Sequence, residues 1–342
     1  MSSGYEHLAD LPLEIEGYKL AGREMVLNPY FTRHTTVVHL HARGEEGLGE
    51  DVTYDATDQL SFQRDGRAHE LTGSFTVDSF SSHVADIDLF GDEPAHPDYR
   101  DYRRWAFESA ALDLALRQAG LSLADALGRA SAPLHFVVSP GPEASLDPLL
   151  ERLTRYPAMR LKLMPAGWDE AYVAGLAATD AVDVVDLKGQ WDASIPADVP
   201  VYRRVAEGLP DAWIEDPKLT PETEEVLAPH RDRVTWDAPI HSVRDIERLA
   251  SVPRMLNVKP SRSGTIRALL EIYEHCERAG IGVYGGGQSE LGPGRGQIQT
   301  IAAMFHPDAP NDVAPCAYNE PELRDGLSQS PLPVPEPTLG FR

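Results

Sequence analysis

Among its 342 residues the chain has only five lysines, Lys19, Lys162, Lys188, Lys218 and Lys259, beside 26 arginines. Lysine is ordinarily one of the commonest residues, so the few that remain are worth placing. Cysteine is scarcer still. Cys276 and Cys316 stand alone, without Cys-x-x-Cys or Cys/His spacing, which argues against a disulfide scaffold and a zinc site. No run of about 18 apolar residues occurs, and the first residues lack a basic start followed by an apolar stretch, so neither a membrane span nor a secretory leader is expected. A cytoplasmic location is the expectation. Basic charge is also in deficit, with 31 basic against 54 acidic side chains and a net charge of −23. Without a local basic patch such a chain repels phosphate backbones, so neither nucleic acid nor an anionic membrane is expected as a partner.

What is present is an ordinary globular composition, 42% hydrophobic and 25% charged. At roughly 150 residues per domain the length allows about two domains, or one large barrel with an attachment. Residues 13–60 read as strands, with alternating Thr36-Val37-Val38-His39-Leu40-His41 between the turn signals Asn28-Pro29 and Gly44–Gly47. Residues 99–119 place Trp105, Ser109, Leu112 and Leu116 on one helical face, with Gly120 as the stop. Strands followed by a helix predict an α+β unit over residues 1–130.

From residue 131 to 320 the pattern becomes α/β. Apolar runs at 135–139, 159–164, 181–189, 212–217, 234–240, 255–261 and 281–287 alternate with helical stretches. Their Val/Ile/Leu content without clean alternation fits parallel strands buried on both faces. Seven such repeats, closed by a strand near Asp312–Asn319, predict a modified TIM (β/α)7β barrel under an α+β capping domain. An open doubly wound sheet is the alternative that the runs alone leave.

In a barrel of this kind the active site is built at the C-terminal ends of the strands. Reading the end of each run gives Arg160 and Lys162, Asp186 and Lys188, Glu215, Asp237, Lys259 and Glu290, one polar position per βα repeat. For a single carboxylate a rim salt bridge or a helix cap is the simpler reading. Three on consecutive strands cannot converge without compensation, and an all-oxygen set suits a hard divalent cation, Mg²⁺ with Mn²⁺ as the alternative. Asp186, Glu215 and Asp237 are thus the candidate ligands. Lys162 and Lys259 would flank them as an acid/base pair for removing a proton α to a carboxylate. Arg160, two residues from Lys162, is expected to share its face and lower its pKa by like-charge repulsion. Arginine stays protonated, so lysine is retained where a removable proton is useful.

The segments Arg160-Leu161-Lys162, Val185-Asp186, Trp213–Pro217, Asp237, Asn257–Pro260 and Gln288–Arg295 together resemble the enolase superfamily. The likeness is to its muconate-lactonizing and o-succinylbenzoate synthase-like branch, within the mandelate racemase/muconate lactonizing enzyme family. Gly47–Glu50 is similar to the family's capping-domain turn and Ala106–Leu114 to its connecting helix. Pro333–Gly340, within a segment 321–342, resembles its C-terminal tail returning to the cap. The resemblance implies Mg²⁺ on Asp186, Glu215 and Asp237, with Lys162 and Lys259 as acid and base. It implies Glu290 as a substrate-positioning group and specificity loops at Leu27–Arg33 and Glu50–Tyr54, where Tyr30, Phe31 and Arg33 would meet substrate with Arg160 and Lys188.

Two departures stand out. Lys188 occupies the position where the family usually has Asn, and Ala238 the position of a Glu, which leaves Lys259 without that partner. Lys188 would pair with substrate or a rim carboxylate, or replace part of the metal's charge. The Gly285-Gly286-Gly287 run fits neither a P-loop nor a dinucleotide fingerprint and reads as tight turns under a substrate. The expected activity is Mg²⁺-dependent proton abstraction on a small carboxylate substrate, leading to elimination, N-acylamino acid racemisation or cycloisomerisation. The chain allows a homo-oligomer. The alternative is a catalytically silent barrel that binds a small molecule.

Overall fold

The computed structural model describes residues 4–65, 69–142, 145–191, 194–320, 322–334, 336 and 338–342. The N-terminal part is built on an antiparallel meander of Gly17–Asn28, Phe31–Ala42 and Glu45–Asp51. Arg43 and Gly44 at positive φ, 55° and 80°, make its second hairpin turn. A second small pair joins Pro12–Ile15 to Gly73–Thr76. The strand pattern expected up to residue 60 ends earlier. The Asp55 side chain accepts the Asp58 N–H at 2.9 Å and starts a helix over Ala56–Asp65.

The helix Tyr99–Ala119 ends where expected, at Gly120 with φ 69°. Trp105, Ser109, Leu112 and Leu116 are buried, but so are Phe107, Ala110 and Leu114 on other faces. It packs against the meander on one side and against Pro260–Ser263 and Ile266–Ala279 on the other. Gly49 permits this. A Cβ there would lie 1.9 Å from the Ala106 carbonyl oxygen, so sheet and helix touch backbone to backbone. One apolar core therefore runs from Leu13 and Val38 through Trp105 and Leu112 to Leu269 and Ile272.

Among the described residues eight parallel segments close a ring. Val138 bridges Leu161, and pairing then runs through Leu161–Leu163, Val182–Asp186, Trp213–Glu215 and Val234–Thr235. The Asn257 N–H donates to the Trp236 carbonyl at 3.0 Å and carries the ring to Met255–Val258 and Gly282–Gly285. Bridges Gly286 to Asp312 and Asn311 to Phe136 complete it. Helices lie between successive strands, giving the (β/α)7β order. The eighth strand is shorter than expected, because the chain turns into a 3₁₀ helix at Cys316–Asn319 directly after Pro315. The tail returns to the helix Tyr99–Ala119. Phe341 is fully buried with its N–H on Asp113, and its ring meets Trp105 edge-on at 6.4 Å. Burying one such side chain contributes about 1.5–3 kcal/mol. Pro335 and Pro337 of this segment lie outside the described residues. No helix is long and apolar enough to cross a membrane among the described residues.

Candidate active site

Three buried carboxylates converge at the C-terminal ends of the third, fourth and fifth barrel strands. Asp186 and Glu215 are the last residues of their strands and sit in register, and Asp237 follows the fifth strand by two residues. One oxygen from each lies within 4.8 Å of the others. The turns that aim them use left-handed backbone at Lys188 and Asp216, φ 55° and 48°, which costs a side-chain-bearing residue about 1 kcal/mol or more. Asp216 offsets part of this. Its carboxylate accepts the N–H groups of Asp237 and Ala238 at 2.8 and 2.9 Å and so fixes the third carboxylate.

The set fits a hard divalent cation. All three donors are oxygens, and Asp237 Oδ1 is buried with no hydrogen-bond donor, Arg262 lying 3.5 Å from it. Glu215 is oriented by Asn257 Nδ2 at 3.0 Å and by the Tyr284 hydroxyl, both donating to Oε2.

Lys162 and Lys259 flank this cluster from the second and sixth strands. The Lys162 ammonium lies 2.5 Å from Glu215, 3.4 Å from Asp186 and 3.6 Å from Asp312. Lys259 lies 2.9 Å from Asp237 Oδ2. Gly286 makes room for it, since a Cβ there would come 2.7 Å from Lys259 Cε. Burial opposes the charge on Lys162, but Glu215, Asp186 and Asp312 outweigh it and hold its pKa above the ordinary lysine value. Burial, then Asp186 and Asp237, push Glu215 up to about 8 against the pull of Lys162. Asp186 goes the other way, because Lys188 and Lys162 outweigh its burial and hold it well below the carboxylate range. A cavity of about 360 Å³ is lined by Asp237, Lys188 and Lys259 together with Tyr54, Tyr99, Trp191, Arg295 and Ala314.

Carboxylates on strands three, four and five thus stand between lysines on strands two and six. Residues 6–126 match the N-terminal domain, and residues 130–320 the C-terminal domain, of the family described as Domain of unknown function (DUF8230). The chain belongs to the DUF8230 family. Its fold is that of the enolase superfamily. A superfamily member from Listeria innocua superimposes with a TM-score of 0.70 at 21% identity, covering 96% of this chain and 94% of that one. Among curated proteins, an o-succinylbenzoate synthase of Geobacillus kaustophilus is 26% identical over 66% of this chain. The match spans 64% of that protein's length. An N-succinylamino acid racemase of an Amycolatopsis species is 28% identical over 86% of this chain and 83% of its own.

Several expected residues of this DUF8230 protein lie elsewhere. Arg160 does not join Lys162. The second strand has three residues, so Arg160 is left at its N-terminal end, where it pairs with Asp183 and donates to the Asp180 carbonyl. It therefore does not lower the Lys162 pKa, which the surrounding carboxylates raise. Glu290 does not border the cavity; it accepts the Gln288 N–H at 2.6 Å and meets Arg295 at 3.0 Å, holding two groups that do. Tyr30 is 97% exposed at the first hairpin tip, and neither it nor Phe31 borders the cavity. Arg33 is fully buried on four carbonyl oxygens, those of Val52, Thr53, Gln288 and Ser289. It ties the loop after Asp51 to the loop after the seventh strand and meets no substrate space. Glu50–Tyr54 does reach the cavity, through Tyr54. Lys259 has a partner despite Ala238, namely Asp237 itself.

The glycine run does not make the left-handed turns expected of it; it makes room for neighbouring side chains. Gly285, Gly286 and Gly287 have no positive φ, and a Cβ on each would strike His306, Lys259 and Glu290 respectively. Arg262 and Tyr284 carry no expectation from sequence, and Asn257 and Asp216 enter it only as parts of the segments that bear the resemblance. Asp216 had a signal, an acidic residue directly after a candidate ligand and before Pro217. Arg262, one turn beyond Lys259, had a weaker one.

Proposed function

We propose that this chain removes and returns the proton α to the carboxylate of a small substrate, with Lys162 and Lys259 as acid and base on opposite faces and Asp186, Glu215 and Asp237 holding Mg²⁺, or Mn²⁺ in its place. The observation that carries this is the ring order, three ligand strands between two lysine strands. The bound ion supplies positive charge where negative charge develops on the substrate carboxylate. Each lysine is held within reach of a ligand carboxylate, so a proton taken by one side is stabilised as ammonium. Aromatic side chains and Arg295 around the cavity suit an anion with an apolar portion.

The reaction class is racemisation or elimination, with cycloisomerisation the remaining alternative. A lysine on each face serves racemisation directly, and the named relatives point to carboxylates bearing a succinyl group. Incubating the protein with Mg²⁺ and N-succinylamino acids in D₂O tests the reading. Loss of the α-proton signal by NMR, dependent on the ion, is expected. A protein that binds these acids by calorimetry yet exchanges no proton with any of them is a silent binding barrel, the second reading, favoured by the Lys188 ammonium sitting on Asp186.

A further inference from the structure

Lys188 is a charged side chain at the cavity to which the proposed chemistry gives no task. Its own N–H donates to Asp186 Oδ1 at 3.0 Å and its ammonium to Oδ2 at 2.5 Å, so a single residue covers both oxygens of one proposed ligand. The left-handed backbone at φ 55° folds the side chain back to make this possible. Lys162 and Lys259 are enclosed, with side chains 3% and 6% exposed. The Lys188 side chain is 34% exposed and borders the cavity, so it has free space to move into.

Each proposed ligand carboxylate already has a cation against it in this arrangement. Three ligand carboxylates face three ammonium groups, those of Lys162, Lys188 and Lys259. A divalent cation entering the cluster would leave surplus positive charge beside Asp186, which the lysine leaving for the cavity and an anion meeting it there would both relieve.

We infer that Lys188 is a tethered counter-ion for Asp186 that yields its place to the divalent cation and then pairs with the substrate carboxylate, so that cation and carboxylate bind cooperatively. The inference rests on the metal site proposed above. It makes coupling reciprocal: whatever factor the carboxylate adds to cation affinity, the cation adds to carboxylate affinity.

Titration of Mn²⁺ alone into the full chain, followed by water-proton relaxation, with and without saturating succinate, tests it. Lys188→Asn keeps a residue suited to left-handed backbone, and Lys188→Met keeps the length without the charge. Thermal melting without metal reports whether each variant folds. Succinate should tighten Mn²⁺ binding to the wild type by about 10-fold or more, within the usual range of coupling. Both variants should bind Mn²⁺ about 10-fold more tightly without succinate, and the succinate effect should shrink to less than about 2-fold. Equal Mn²⁺ affinity in wild type and variants overturns the role given to Lys188 while leaving the metal site standing. No Mn²⁺ binding in any of the three overturns the metal site and this inference with it.

Discussion

Arg160 and Lys162 stand two residues apart on one barrel strand and reach opposite ends of it. Arg160 pairs with Asp183 at the N-terminal end, the two side chains 39% and 24% exposed, beside a cavity of about 310 Å³ that Asp211 and Asp308 also line. Lys162 lies among carboxylates that are almost wholly buried. Both ends collect acidic and basic groups, and water separates their energetics. An exposed pair is screened and contributes about 0–1 kcal/mol. A buried cluster is costly to assemble, and losing one member leaves the others uncompensated at about 3–5 kcal/mol. Charge at the N-terminal end is thus a solvated rim, and charge at the C-terminal end has to be held by structure, as Asp216, Asn257 and Tyr284 do.

Four substitutions separate the two ends, in descending order of effect. Glu215→Ala removes the proposed ligand nearest Lys162. Metal binding by calorimetry should disappear, and the proton-exchange rate should fall by about 10³-fold or more, the several kcal/mol a metal supplies to developing charge. Asp216→Ala leaves every proposed ligand in place but frees the backbone that aims Asp237, and Mn²⁺ affinity should drop by about 10–100-fold.

The third concerns His306, between the barrel and its outer helices. Its ring meets Asn311 at 2.6 Å and the Tyr273 hydroxyl at 3.1 Å, and burial lowers its pKa to about 4. Because the folded value lies below the unfolded one, the stability it contributes is complete above about pH 6.5 and is lost as pH falls toward 4, amounting to about 3 kcal/mol. Denaturant unfolding of wild type and His306→Phe across that window should show the difference between them shrinking as pH falls. Arg160→Ala should be smallest, within about 1 kcal/mol in stability by the same denaturation and without effect on exchange. A large loss of activity there would break the contrast between the two ends.

The ring was legible in the sequence because each βα repeat ends on a polar residue, so Asp186, Glu215, Asp237, Lys162 and Lys259 declared themselves by spacing. The direction of Arg160 was not legible, since alternation along a strand says nothing of where a three-residue strand begins. The surroundings of Arg33 are hidden from the sequence for a different reason. A cation in a loop suggests an anionic ligand, yet its partners are carbonyls, two of them more than 250 residues away in sequence. Asn257 and Tyr284 carry no spacing signal of their own, because their task is defined only by the fold that brings Glu215 between them.

Two lysines acting from opposite faces of one substrate carbon would each serve one enantiomer. Enantiomer-resolved α-proton exchange of D- and L-N-succinylamino acids in D₂O with Mg²⁺, measured for wild type, Lys162→Ala and Lys259→Ala, tests this most directly. The wild type should exchange and interconvert both enantiomers. Each variant should exchange one enantiomer only, the opposite one in each case, and racemise neither, with the lost rates down by about 10²–10⁴-fold. Variants that continue to exchange and racemise both enantiomers at wild-type rates would contradict the account.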